Sequence, residues 1–169
     1  RRPPRSTLFP CTTLFRSPLI AVGGGAVKAA RQVVELAEKL DAPVINTVNA
    51  KGVIPYSHPL AIGGSGSCPA VRATLSSADV VLAIGNEFGE TDYDYFFEGG
   101  VHIAGKLIRI DIDSSQLTRN IRPDLAICSD AGQALQALNQ SLDLPTSDGG
   151  RGAKRAEKIR NELKATRDL

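Results

Sequence analysis

Long apolar runs, cysteine pairs and histidine clusters are scarce in this sequence, and each shortage excludes a class of protein. No apolar run approaches the roughly 18 residues that a membrane-spanning helix needs, so a membrane partner is not expected. The three cysteines form no Cys-x-x-Cys pair and cannot all be bridged, which argues against a disulfide scaffold and favours a reducing, cytoplasmic location. The two histidines, His58 and His102, stand apart in the chain, without neighbours suited to metal or nucleophilic chemistry.

The rest of the composition is that of an ordinary globular domain. The chain has 169 residues, of which 42% are hydrophobic and 22% charged, and this length suits one domain with a real core. The formal net charge is +2, which by itself would leave nucleic acid open as a partner.

Residues 1–17 account for that positive balance and are expected to lie outside the fold. They carry four arginines and no acid, and their prolines oppose both a signal peptide and an amphipathic transit helix. Residues 7–17 resemble the translation of a common sequencing adapter, with Cys11 as the one departure, so we expect a non-native, disordered leader. Without it, 16 basic residues face 18 acidic ones, which argues against a nucleic-acid partner.

Apolar runs of strand type alternate with helical patterns, which predicts a parallel sheet with helices on both faces. The predicted strands are residues 19–22, 44–47, 60–62, 80–84, 106–112 and 125–128. Helices are predicted from residue 26 to 40, from Ser67 as N-cap to about Ala78, after Asp113, and from 131 to 142. Asp130, with Gln133 three residues later, is the predicted cap of the last of these. Residues 143–150 have the composition of a linker, and a basic amphipathic helix follows from Arg151.

The glycine triplet Gly23–Gly25 between a strand and a helix is the first candidate binding element. It either cradles a phosphate at the helix N-terminus or serves as a tight packing turn. As a dinucleotide fingerprint it is incomplete, because Lys28 stands where the third glycine belongs and Thr47 where a ribose-binding acid belongs.

Acidic residues at strand ends are the second kind of candidate. Asp111 either accepts from a ribose hydroxyl or is a solvated strand end, whereas Asp113 is better explained as a helix cap. The acidic loop 85–94 either holds a cation or is simply solvated. No nucleophile–base pair, paired-carboxylate signature or metal cluster emerges, so neither catalytic nor metal-binding residues are predicted.

Five segments in a fixed order carry a family resemblance. They are PLIAVGGGA (18–26), APVINTVNAKGVIPYSHPL (42–60), ADVVLAIG (78–85), LIRIDID (107–113) and SDAGQALQAL (129–138). Together they resemble the central domain of thiamine-diphosphate-dependent enzymes, such as acetolactate synthases and 2-oxo-acid decarboxylases. The stretch GETDYD (89–94) is most similar to the group that includes 5-guanidino-2-oxopentanoate decarboxylase.

This resemblance implies a Rossmann-like, six-stranded parallel sheet in a three-layer α/β/α arrangement over residues 18–142. It implies a parent enzyme with further N- and C-terminal domains, assembled as a dimer or tetramer, with thiamine diphosphate and Mg²⁺ bound outside this domain. Neither Gly-Asp-Gly nor Asn-Asn, the family's diphosphate motif, occurs in residues 18–169. We therefore expect the helix from residue 151 to lead to a C-terminal domain, and the domain alone to be inactive.

The resemblance also implies a set of cofactor contacts, because acetolactate synthases hold FAD in this domain. The matching positions are Gly23, Gly24, Gly25, Lys51, Gly52, Gly63, Gly64, Gly85, Asn86, Glu87, Phe88, Asp111, Ile112, Asp130 and Ala131. The synthases place arginines after the strand that ends at residue 84, where this chain has Glu87 and Glu90. Acids beside a pyrophosphate are unfavourable, which argues against FAD here. The alternative is a free-standing module that binds FAD, NAD or ADP.

Overall fold

The structure, a computed structural model, describes residues 15–93, 99–142 and 150–167. Residues 1–14 of the predicted leader, 94–98 of the predicted acidic loop and 143–149 of the predicted linker lie outside these ranges. No helix within the described residues is long and apolar enough to cross a bilayer.

Five strands form one parallel sheet, and the sequence predicted all five nearly to the residue. They are β1 (Pro18–Val22), β2 (Val44–Asn46), β3 (Val80–Ile84), β4 (Lys106–Asp111) and β5 (Leu125–Cys128). Their order is β2-β1-β3-β4-β5, with Ile20 aligned to both Val44 and Leu82. The chain therefore reverses its direction of winding between β1 and β3, and a crevice is expected at the carboxyl edge there.

The helices cover both faces of this sheet, so the predicted α/β class is confirmed. They are α1 (Ala30–Leu40), α2 (Pro69–Ser77), α3 (Glu90–Tyr93), α4 (Ala131–Ser141) and α5 (Arg151–Arg167), with 3₁₀ turns at Gly24–Ala29, Val48–Ala50 and Gln116–Thr118. On one face, α1 and α4 pack over Ile20, Leu82 and Ile110. On the other, α2 and α5 pack together over Leu19 and Val81.

The predicted sixth strand is wrong within the described part of the chain. Of residues 60–62, Ala61 makes an isolated parallel bridge to Val44 and no longer ladder forms. The Ala61 amide is taken by the His58 carbonyl, and the Ala61 carbonyl accepts from the Arg160 guanidinium at 2.6 Å. These two groups face away from β2, and the bridge itself is made by the Leu60 carbonyl and the Ile62 amide, which bond Val44 at 2.8 and 3.0 Å. No ladder forms because a turn closed by the Ala61 amide precedes the bridge and Gly63, with φ of +74°, follows it, which leaves too few extended residues.

Two predicted caps also differ from the structure. Cys68, not Ser67, is the N-cap of α2, because Ser67 Oγ bonds Ser65 Oγ at 2.6 Å and Pro69 occupies the first turn. Asp113 begins no α-helix: its carboxylate binds the amide and hydroxyl of Ser115, and only the 3₁₀ turn follows. The predicted cap of α4 is confirmed, since the Asp130 side chain accepts from the Gln133 amide at 3.1 Å.

Helix α5 is built into the domain rather than projecting from it. Asp41, in a left-handed conformation at the end of α1, accepts from the amides of Arg151 and Gly152 through one carboxylate oxygen. Ala156 and Ile159 are buried in the core of the α2 face.

Candidate functional site

The carboxyl edge of the sheet gathers the predicted contact residues, because each follows the end of a parallel strand. The turns after β1 and β3 meet at the crevice, while the turns after β2 and those after β4 and β5 flank it on either side. This is the edge at which open parallel sheets bind ligands. The individual residues nevertheless take up four different roles.

Gly23, Gly25 and Gly85 pack the crevice shut, backbone against backbone. The Gly23 amide donates to the Ile84 carbonyl at 2.9 Å, and the Gly25 amide donates to the Gly85 carbonyl at 3.2 Å. A Cβ added to Gly23 would lie 2.1 Å from Gly85 O, and one added to Gly85 would lie 2.5 Å from the Gly25 Cα. Two amides of the triplet are thus already used. Gly24 and Gly25 are both exposed, and Gly24 is the member of the triplet that does not contact Gly85.

The turn after β3 points its predicted contact residues inward. Asn86 is 2% exposed and Phe88 is fully buried, whereas Glu87 between them faces solvent. Asn86 accepts from the Phe88 amide at 2.9 Å and donates to the Tyr93 hydroxyl at 2.7 Å. Phe88, with φ of +51°, packs its ring 5.1 Å from that of Tyr93. Asn86 and Phe88 therefore shape this turn, and a ligand would meet its backbone and Glu87.

A cavity of about 420 Å³ opens at the end of β2. Predicted residues Lys51, Gly52 and Gly63 line it. The remaining walls are formed by Asn46, Ile54, Tyr56 and Ala61. Tyr56 is 73% exposed, and its ring lies against Gly63, where a Cβ would come within 2.6 Å of Cε2. The cavity combines a cation, an exposed aromatic face and glycine backbone, a combination that suits an anionic ligand with a planar ring.

Gly64 and the turns after β4 and β5 contribute less than the resemblance implies. Gly64 is buried beneath Leu163 of α5 and faces away from solvent. Asp111 accepts from the Asp113 amide at 3.0 Å, and Ile112 is 73% exposed. The Asp130 carboxylate is occupied as the α4 cap, and Ala131 is buried behind it.

The edge as a whole does not fit the pyrophosphate of a dinucleotide such as FAD. The Gly23 and Gly25 amides are paired within the fold, and exposed Glu87 and Glu90 supply the wrong charge. The β2 cavity, in contrast, is large enough for one ring system with a short anionic group. Among the described residues, no group of three His, Cys, Asp or Glu side chains is placed to hold a metal ion.

Sequence reasoning missed Arg109, which lies in the interior beneath the turn after β3. The side chain is 1% exposed and donates to the Asn86 carbonyl at 2.9 Å. Alternation along β4 was the available signal, since Leu107 and Arg109 share one face of the strand. His58, which was assigned no role, binds Glu38 through Nε2 and the Leu60 amide through Nδ1, both at 3.2 Å.

Known proteins resemble this chain over most of its length. The family described as "Thiamine pyrophosphate enzyme, central domain" matches residues 15–138. The chain is 33% identical to a probable 2-ketoarginine decarboxylase of Pseudomonas aeruginosa, over 98% of the chain and 30% of that protein. It is 35% identical to a probable acetolactate synthase large subunit of Methanocaldococcus jannaschii, over 74% of the chain and 22% of the relative. It is 38% identical to the glyoxylate carboligase of Escherichia coli O157:H7, over 72% of the chain and 21% of that protein.

These matches confirm the resemblance that the five ordered segments carry. The chain spans less than a third of the length of the three curated relatives, so they extend well beyond the region it covers. The family match includes all five strands and the carboxyl edge that they form. The chain therefore belongs to the family of thiamine pyrophosphate enzyme central domains.

Proposed function

We propose that this chain is the central domain of a thiamine-diphosphate-dependent enzyme that acts on a 2-oxo acid. The observation that carries the proposal is the family match over residues 15–138, which coincides with the whole parallel sheet. We assign the domain itself a structural and ligand-binding role, which the cavity at the end of β2 supports. Turnover belongs to the parent enzyme.

Decarboxylation is the reaction class that we favour. The relative matched over 98% of the chain is named as a probable 2-ketoarginine decarboxylase, and 2-ketoarginine is the 5-guanidino-2-oxo acid of the predicted group. Carboligation is the second candidate, because an acetolactate synthase and a glyoxylate carboligase are also among the relatives. These two match about three quarters of the chain, which is less than the decarboxylase matches.

The same proposal includes the parent's cofactors and partners. Thiamine diphosphate would supply the carbanion chemistry, with Mg²⁺ on its diphosphate, and both would be held by N- and C-terminal domains that flank this one. A dimer or tetramer and a cytoplasmic location complete the proposal. Residues of the central domain would hold those domains in place rather than touch the reacting atoms.

The decisive experiment is to recover the uninterrupted gene and assay its product. We expect a Gly-Asp-Gly…Asn-Asn motif within the next couple of hundred codons. The purified parent should release CO₂ from 2-ketoarginine only with thiamine diphosphate and Mg²⁺, and the 169-residue chain alone should release none. If the parent forms a carboligation product instead of releasing the aldehyde, carboligation would replace decarboxylation as the proposed reaction. A parent without the motif and without thiamine-dependent turnover would overturn the family assignment of activity.

A free-standing nucleotide-binding module is the alternative function, and the β2 cavity with Lys51 and Tyr56 favours it. Titrating the full chain with ADP, NAD and FAD by calorimetry tests it. If an anionic ligand binds in the cavity, Lys51→Met should weaken binding about tenfold, as loss of a charge-assisted contact does. Lys28→Met, at an exposed position in the turn after β1, is the matched control and should leave the affinity unchanged. Absence of binding by all three nucleotides would remove this alternative.

A further inference from the structure

The proposed function gives buried Arg109 no role, although removing its charge from water costs free energy. Its side chain is 1% exposed, on strand β4, which lies between β3 and β5. An arginine is kept in such a position only when hydrogen bonds offset the loss of hydration. Its partners therefore indicate what the residue does.

Arg109 joins two segments that are far apart in the sequence. Nη2 donates to the Asn86 carbonyl at 2.9 Å, in the turn after β3. Nη1 donates to the carbonyls of Arg119 at 2.7 Å and Ile121 at 2.9 Å, beyond the 3₁₀ turn that follows β4. The guanidinium also lies 5.1 Å from the centre of the Phe88 ring. One side chain thus connects the turns that leave neighbouring strands β3 and β4.

Both joined segments contain a residue whose backbone is held in the left-handed region. Phe88 has φ of +51° and Asn120 has φ of +63°, and the Asn120 side-chain amide donates to the Phe88 carbonyl at 2.8 Å. A left-handed conformation is unfavourable for a bulky residue such as phenylalanine and persists only when its surroundings hold it. Arg109 contributes through its position over the Phe88 ring, and Asn120 through its bond to the Phe88 carbonyl.

Only an arginine can make this connection. Its planar fork presents separate N–H groups toward Asn86 on one side and toward Arg119 and Ile121 on the other, and its flat face meets the Phe88 ring. A lysine ammonium has three donors at one point and lacks the flat face, so it cannot reach both segments at once.

We propose that Arg109 is a positioning residue for the carboxyl edge, one that fixes the turn after β3 relative to the segment after β4. Glu87 and the pair Asp111–Ile112, which face the open edge, thereby keep a constant separation. The relevance of that separation to a ligand rests on the proposed nucleotide-binding role, whereas the mechanical coupling does not.

Hydrogen exchange of backbone amides in the full chain tests the coupling. In Arg109→Lys we expect the hydrogen-bonded amides of Phe88, Arg119 and Ile121 to exchange at least about tenfold faster, while those of α4 keep their protection. Leu135→Ala is the matched control, because it removes a fully buried side chain from the opposite face and should accelerate exchange throughout the molecule. Wild-type protection in Arg109→Lys, or uniform acceleration as in Leu135→Ala, would overturn the proposal.

A second variant approaches the same connection from its other end. Asn120→Gly tolerates the left-handed backbone but loses the bond to the Phe88 carbonyl, and should reproduce the local acceleration even if Arg109→Lys does not fold. ADP titration then separates the two proposals. If the wild-type chain binds ADP in the β2 cavity, Lys51→Met should weaken binding about tenfold while Arg109→Lys keeps its affinity, because the segments that Arg109 joins do not line that cavity. If the wild-type chain binds none, the nucleotide role fails, and the exchange pattern still decides the role of Arg109.

Discussion

Individual glycines at the carboxyl edge have different functions although the sequence presents them alike. Gly85 has φ of +52° and backbone atoms of Gly25 within 2.6 Å of any added Cβ, whereas Gly52 has φ of +92° and open space around it. The first position needs glycine for both conformation and contact, and the second for conformation alone. Substitution by alanine can separate the two requirements.

Gly85→Ala should lower the free energy of unfolding by roughly 3 kcal/mol, since left-handed strain and a backbone clash add together. Gly52→Ala should cost about 1 kcal/mol, because strain acts there without a clash. Urea unfolding followed by circular dichroism measures both. Equal losses for the two variants would mean that the contact between Gly25 and Gly85 contributes nothing.

The exposed ion pair between Lys106 and Asp124 should make the free energy of unfolding depend on pH in the acid range. The Lys106 ammonium lies 2.7 Å from Asp124, and its hydrogen bond, with a further one from the Leu107 amide, lowers the pKa of that carboxyl. A carboxyl whose pKa is lower in the folded state stabilises the fold above its unfolded pKa, and this contribution disappears as the pH falls below about 4. The pKa of Lys106 is raised by the same pair, so its contribution is lost only in strong base.

Asp124→Asn should therefore reduce the difference between urea midpoints measured at pH 7 and pH 3. Asp113→Asn should reduce the same difference, because the pKa of its carboxyl is also lowered, but by hydrogen bonds from Ser115 rather than by an ion pair. An unchanged pH dependence in Asp124→Asn would show that the ion pair does not contribute. High salt should reduce the effect, since both groups are exposed.

At the scale of the elements, α5 packs as part of the core on the α2 face. Its buried residues contact α2, and the Arg160 guanidinium takes the carbonyls of Pro59 and Ala61 at the sheet edge. Residues 18–142 without α5 would expose apolar core residues and would lose the Arg160 contact beside the β2 cavity. Ligand-binding experiments should therefore use the chain that includes α5.

Ile159→Ala should cost about 2–4 kcal/mol of unfolding free energy, because it removes a buried side chain from the contact between α5 and α2. Lys158→Ala, next to it and 80% exposed, should change stability by less than about 0.5 kcal/mol. Thermal unfolding of the full chain distinguishes them. A loss for Ile159→Ala below about 0.5 kcal/mol, the range of an ordinary surface substitution, would mean that α5 is not part of the core.

The attachment of α5 at its first turn has its own test. Asp41→Ala removes the acceptor for the Arg151 and Gly152 amides and should cost about 1–2 kcal/mol, as loss of an N-cap does. Asp41→Asn keeps an oxygen acceptor and tolerates the left-handed backbone, so its loss should be smaller. The same cost for both variants would assign the stabilisation to the negative charge rather than to the cap.

At the scale of the whole molecule, the sheet could be predicted from the sequence because its signals are local. The apolar runs and the turns that bound them lie within a few residues, as at Val80–Ile84 followed by Gly85. The sixth strand failed because a turn that ends at Ala61 and the left-handed Gly63 leave too few extended residues for a ladder. The apolar run at residues 60–62 does not itself reveal either feature.

The candidate site was predictable in its location but less so in its details. Parallel strands place their carboxyl ends at one edge, so the position of the site follows from the element order alone. Whether Asn86 and Phe88 face a ligand or the core depends on Arg109 and Tyr93, which reach them through the tertiary fold. Burial of an arginine on β4 likewise depends on carbonyls from two distant turns.

The contact between the turns after β1 and β3 also constrains how this chain can change over generations. Neither Gly25 nor Gly85 can gain even a methyl group while the other turn stays where it is. A mutation in one glycine cannot be rescued by enlarging the other, since that would deepen the same clash. The two positions, 60 residues apart in the sequence, must therefore both remain glycine.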